Sequence, residues 1–139
     1  MKKFFALVCA AALLFALGTA FAEPIKFPNG LTVDVAPGWF YEGEDDNIVL
    51  IAEDQSCAIT ITVVAAEGVT GRDAAFGMSK EHGGSEPQEI GEDFYFYSFQ
   101  NENGVECRVF VGAEDGKLKV ISITGDHQDV EDILNSIEE

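Results

Sequence analysis

Glu42, Glu44, Asp45, Asp46 and Asn47 follow closely on Trp39, the only tryptophan in the chain. Oxygen ligands at that density are what a hard cation takes, so Glu44, Asp45 and Asp46 are candidate metal ligands and calcium is the ion they suit. The spacing departs from the D-x-[DN]-x-[DN]-G loop with its distant glutamate, so this is no EF-hand. The competing reading is a solvated turn between strands, in which the acids only keep the loop in water.

Catalytic chemistry finds less support. A nucleophile needs a base that a third group orients. The two histidines are His82, beside Gly83 and Gly84, and His127, ahead of the last apolar stripe. Neither stands in a motif, and no G-x-S-x-G elbow or phosphate-binding P-loop occurs. The 25 acidic residues form many pairs by chance, so a carboxylate-using hydrolase stays open as an alternative without a marked pair to carry it. The expectation is a protein that is not an enzyme.

Aromatic residues offer a different kind of site. Phe94-Tyr95-Phe96-Tyr97-Ser98-Phe99 reads as a strand that sends Phe94 and Phe96 to one face and Tyr95, Tyr97 and Phe99 to the other. Beside a poorly covering helix, Tyr95 and Tyr97 would line a recess whose hydroxyls orient a ligand or partner. Trp39 follows the Pro37-Gly38 turn and reads either as a corner that closes the core or as a further aromatic platform.

Lys2 and Lys3, the apolar run Phe4 to Leu17, and Ala20-Phe21-Ala22 have the layout of an export signal, so residues 1–22 are expected to be cleaved and 23–139 to form a single domain. The apolar run is shorter than the roughly 20 residues a span needs, so no stable membrane insertion is expected after cleavage. That places the protein in the periplasm or outside the cell. The full chain carries a net charge of −17, and loss of Lys2 and Lys3 leaves six basic against 25 acidic residues. Nucleic acid is excluded as a partner by that charge. Cys57 and Cys107 are the cysteines that remain. In an oxidising compartment they could close a loop of about 50 residues, which the chain-entropy account values at roughly 4 kcal/mol. Two buried thiols, with Cys107 alternating among Val105, Val109 and Val111, are the equal alternative.

These residues must be positioned by elements that the pattern also announces. Leu31, Val33 and Val35 alternate as a strand; Ile48–Ala52 and Ala58–Val64 flank a polar turn as a hairpin. Thr70 with Asp73 resembles a capping box, and Gly83-Gly84 ends the helix it would start near His82. Phe94–Gln100, Val105–Gly112 and Lys117–Thr124 are joined by short Asn/Gly and Asp/Gly turns as an antiparallel meander. Val130, Ile133, Leu134 and Ile137 form one helical stripe. The order predicts an α+β fold: a single antiparallel sheet of about five to seven strands with two helices packed against it.

The succession Leu31-Thr32-Val33-Asp34-Val35-Ala36-Pro37-Gly38-Trp39, then a hairpin, a helix, a meander and a closing Ile133-Leu134-Asn135-Ser136-Ile137, resembles the PsbP-like and DcrB-like exported proteins. That superfamily also includes a nuclear-import factor that binds the GTPase Ran. The resemblance implies an accessory or binding protein without its own chemistry, and no catalytic set to carry over, since fold does not fix function. The expectation is therefore a small exported, non-catalytic binding or accessory protein for an unidentified protein or small ligand, with the hydrolase and a calcium-responsive envelope protein as alternatives.

Overall fold

The computed structural model describes residues 22–138. The expected signal segment lies outside them, apart from its last residue. Nine strands and two helices follow in order: β1 Glu23–Lys26, β2 Thr32–Val35, β3 Trp39–Gly43, β4 Asn47–Ala52, β5 Cys57–Ala65, α1 Gly71–His82, β6 Gln88–Gly91, β7 Phe94–Gln100, β8 Glu106–Glu114, β9 Lys117–Gly125 and α2 Val130–Asn135. Seven strands form the main sheet, in the order β3-β4-β5-β9-β8-β7-β6, while β1 and β2 make a separate two-stranded sheet. The α+β class and two helices agree with the sequence reading. So does the main antiparallel sheet of seven strands, to which the fold adds a small second sheet: the strand ending in Val35 pairs with β1, a Pro-containing segment whose register is Glu23 opposite Val35 and Lys26 opposite Thr32.

The chain divides into two compact units, the first running to Ala58 and resuming at Asp126, the second Ile59–Gly125. In the first, period-2 alternation buries Trp39 and Tyr41 from β3 and Ile48, Leu50 and Ala52 from β4, leaving Phe40 and Glu42 outside. Phe27 is buried and meets Tyr41 edge-on at 5.7 Å. The helix α2 buries Val130 and Ile133. Its far end is tied to β2, where Ser136 Oγ accepts from the Asp34 amide at 2.9 Å and Thr32 bridges Glu138.

In the second unit, β7, β8 and β9 pair antiparallel in continuous register, and α1 packs on one face of them. Ala75 of α1 sits in a core with Tyr95, Tyr97, Val109 and Val111, flanked by Phe76, Met78, Phe99 and Val120. Thr70 caps α1 by accepting from the Asp73 amide at 3.0 Å, and Gly83, at φ 65°, closes it. A second cap comes from the turn between β6 and β7: Asp93 takes the Gly71 amide at 2.7 Å and the Arg72 amide at 3.1 Å. β6 pairs with β7, exposes all four of its residues and breaks register between Glu89 and Gly91.

Candidate functional site

Tyr95 and Tyr97 fall on the face that α1 covers, and the recess expected there is filled. Tyr97 is fully buried and Tyr95 is 6% exposed, because Ala75, Phe76 and Met78 reach the strands despite Gly77 in mid-helix. Both hydroxyls are engaged inside the fold. Tyr95 donates to Glu89 Oε2 at 3.0 Å, and Tyr97 Oη lies 2.9 Å from His82 Nδ1. Burial, with the Glu89 hydrogen bond and charge behind it and Arg72 opposing, holds the Tyr95 hydroxyl above its ordinary range. Burial, with repulsion from Cys107 and Glu81 added, pushes Tyr97 up to about 12. The His82 ring stacks on Phe99 at 4.2 Å.

Trp39 is 6% exposed and opens β3. Its indole Nε1–H donates to Asp129 Oδ2 at 3.0 Å, and the ring meets His127 edge-on at 5.1 Å. It offers no open platform. Glu44, Asp45 and Asp46 stand exposed in the β3–β4 turn, which the Glu44 amide closes onto the Asn47 carbonyl at 2.7 Å. Among the described residues, no three His, Cys, Asp or Glu side chains converge as a metal would require. Cys57 and Cys107 are both buried and neither is in a disulfide. The Cys107 thiol instead faces Thr124 Oγ1 at 3.7 Å and the Val105 carbonyl at 3.8 Å.

The face of β7–β9 turned away from α1 was assigned no role in the sequence reading. Cross-strand register places Phe94, Gly112 and Lys119 in one row, Phe96, Phe110 and Ile121 in the next, and Ser98, Arg108 and Ile123 in a third. Phe96 meets Phe110 at 5.0 Å and Phe94 stacks against it at 6.2 Å. All three phenylalanines are only half-buried. Arg108, Lys117 and Lys119 share this parity, so half of the six basic residues beyond position 22 lie on one face of three strands. Lys119 reaches Glu114 at 3.8 Å. A recess of about 460 Å³ opens at the end of the face, between Phe94, Gly112, Lys119, Glu114 and Glu92. Gly112 makes it: a Cβ there would come within 2.6 Å of the Phe94 ring. The signal was legible in principle, since Phe94, Phe96 and Phe110 alternate on their strands as surely as the tyrosines do. What was missing was which face α1 takes.

The arrangement is that of an α+β fold with an antiparallel sheet bearing a half-buried strip of aromatic and charged side chains, and this fold is PsbP-like. The solution structure of cyanobacterial PsbP from Synechocystis superposes with a TM-score of 0.60 at 11% identity over 88% of this chain and 94% of that one. A crystal structure from Bacteroides thetaiotaomicron matches with a TM-score of 0.57 at 16% identity over 86% of this chain. The present chain spans 48% of that one. No protein-family model matches the chain, and no curated protein does. Among the described residues no helix is long and apolar enough to cross a membrane.

Proposed function

We propose that the chain is an exported, non-catalytic accessory protein that docks an acidic, aromatic-bearing peptide segment of a partner on the β7–β9 face. One observation carries this: Phe94, Phe96 and Phe110 stay half-buried beside Arg108, Lys117 and Lys119 in a chain that is otherwise strongly acidic. Aromatic anchors supply contact area, and cations of complementary sign set register and partner choice. The polar side chains that sequence reasoning put forward for ligand contact are taken up within the fold. The PsbP-like fold is consistent with an accessory role, and the layout of residues 1–22 supports export.

The test places a photo-reactive phenylalanine analogue at Phe96 or at Phe110 in the exporting cell, with Val69, 43% exposed, as control position. One discrete adduct from both strand positions, absent from the control and lost on Lys119→Glu with Arg108→Glu, is the expected result. Adducts independent of position, or none, overturn the docking face. The recovered protein should begin at Glu23 by intact mass; a retained Met1 overturns export without touching the docking result.

A further inference from the structure

His127 sits in an unusual position for an imidazole. Its Nδ1 accepts the Asp129 amide N–H at 3.1 Å, and the same nitrogen lies 3.4 Å from Asp129 Oδ2. An amide can only donate, so Nδ1 holds a lone pair and the ring is neutral with its proton on Nε2. In that state Nδ1 and Oδ2 are two acceptors facing each other. A proton on Nδ1 reverses both relations. The amide loses its acceptor, and the carboxylate gains a charged donor.

Asp129 Oδ2 is also the atom that holds the Trp39 indole, at 3.0 Å. Asp129 is the N-cap residue of α2 yet makes no side-chain bond to its own helix; its carboxylate belongs to Trp39 and His127. The His127 ring completes the contact edge-on against the tryptophan. The charged groups near this turn are carboxylates. Asp126 accepts the His127 amide at 2.9 Å on the same turn. From the β4–β5 turn, Asp54 interacts electrostatically with His127, while the Ser56 hydroxyl and amide hold the Asp54 carboxyl below its usual range. Glu53, beside it, binds the Gly38 carbonyl through its amide and points its carboxylate toward Gly38, next to Trp39. Trp39 itself carries no charge.

We propose that His127 is a proton-operated switch on the joint between Trp39 and the start of α2. In the neutral state the turn 126–129 is closed through the Asp129 amide, and the carboxylate is left to the indole. In the protonated state the imidazolium takes Asp129 Oδ2, competes with Trp39 for it, and frees the Asp129 amide. The consequence is a joint that is set differently in acid than at neutral pH. Histidine is the side chain whose charge change falls between about pH 5 and 8.

Trp39 is the only tryptophan, so its indole proton needs no assignment. The experiment follows the Trp39 Nε1–H resonance and the imidazole nitrogen shifts by NMR on the whole protein from about pH 8 to 5. Three results are expected: neutral His127 is the Nε2–H tautomer, the indole proton shifts with the same midpoint as the His127 ring, and the shift disappears in His127→Gln. Asp129→Asn keeps an oxygen for the indole but removes the charge; it should retain the indole bond and lose most of the response. That second variant also guards against a His127→Gln chain that folds poorly. An Nδ1–H tautomer at neutral pH, an indole proton that does not follow the His127 midpoint, or an unchanged response in either variant overturns the proposal.

Discussion

Tyr97 shows what a single buried hydroxyl does to the stability curve. With its folded value pushed up to about 12 against about 10 in an unfolded chain, the native state holds the proton more tightly. Its stabilising contribution is therefore complete below about pH 10 and is lost as pH rises through about 12. Urea midpoints measured across that window should fall in the native chain and fall less steeply in Tyr97→Phe. Tyr95, also raised, leaves part of the slope in the variant. At neutral pH Tyr97→Phe should cost about 1 kcal/mol for the lost contact with His82, and an unchanged alkaline slope would show that the hydroxyl is better solvated than its burial implies. Residues were legible in the sequence as far as alternation reaches. The partition of Phe94 and Phe96 from Tyr95 and Tyr97 follows from period 2 alone. Which set goes under α1 depends on where the helix packs, and that choice has no local signature.

Elements were read well where their ends carry their own chemistry. Thr70, Asp73 and Gly83 announced α1 to within a residue, and the turn residues between β7, β8 and β9 announced the meander. β1 and β6 escaped because neither alternates in sequence; each exists only through a partner strand. β3, at the end of the main sheet, had no strand signal because Trp39-Phe40-Tyr41 is an unbroken aromatic run in sequence, although in the fold Phe40 and Glu42 face water between buried neighbours. Least readable was the second cap of α1, since Asp93 lies about twenty residues from the amides it binds. Asp93→Ala should cost about 1–2 kcal/mol in denaturant unfolding, in the range of a lost N-cap. Asp93→Asn should cost less: Asn tolerates the positive φ of 51° and still offers one oxygen. Gly71→Ala should be worse than either, because its Cβ would collide with the Asp93 carbonyl oxygen. Equal midpoints for all three would mean that Thr70 alone secures the helix.

At the scale of the whole molecule, charge dominates. A net charge of −17 strains any compact state through self-repulsion, and salt relieves it as the screening length falls from about 30 Å at 0.01 M to 8 Å at 0.15 M. The melting temperature should rise over that range. Because Glu44, Asp45 and Asp46 stand apart in an exposed turn, magnesium and calcium at equal concentration should raise it equally. An excess for calcium that vanishes in Asp45→Asn with Asp46→Asn would instead establish a calcium site there. The register break in β6 bears on a hazard that charge alone does not remove. An outer strand with straight, unpaired amides and carbonyls is a template on which further chains polymerise. The kink between Glu89 and Gly91, with an acid at its start, spoils that template where Ile90 would otherwise make it sticky. Crowded solutions of this protein thus lack, on that side, the flat seed from which amyloid-like stacks grow.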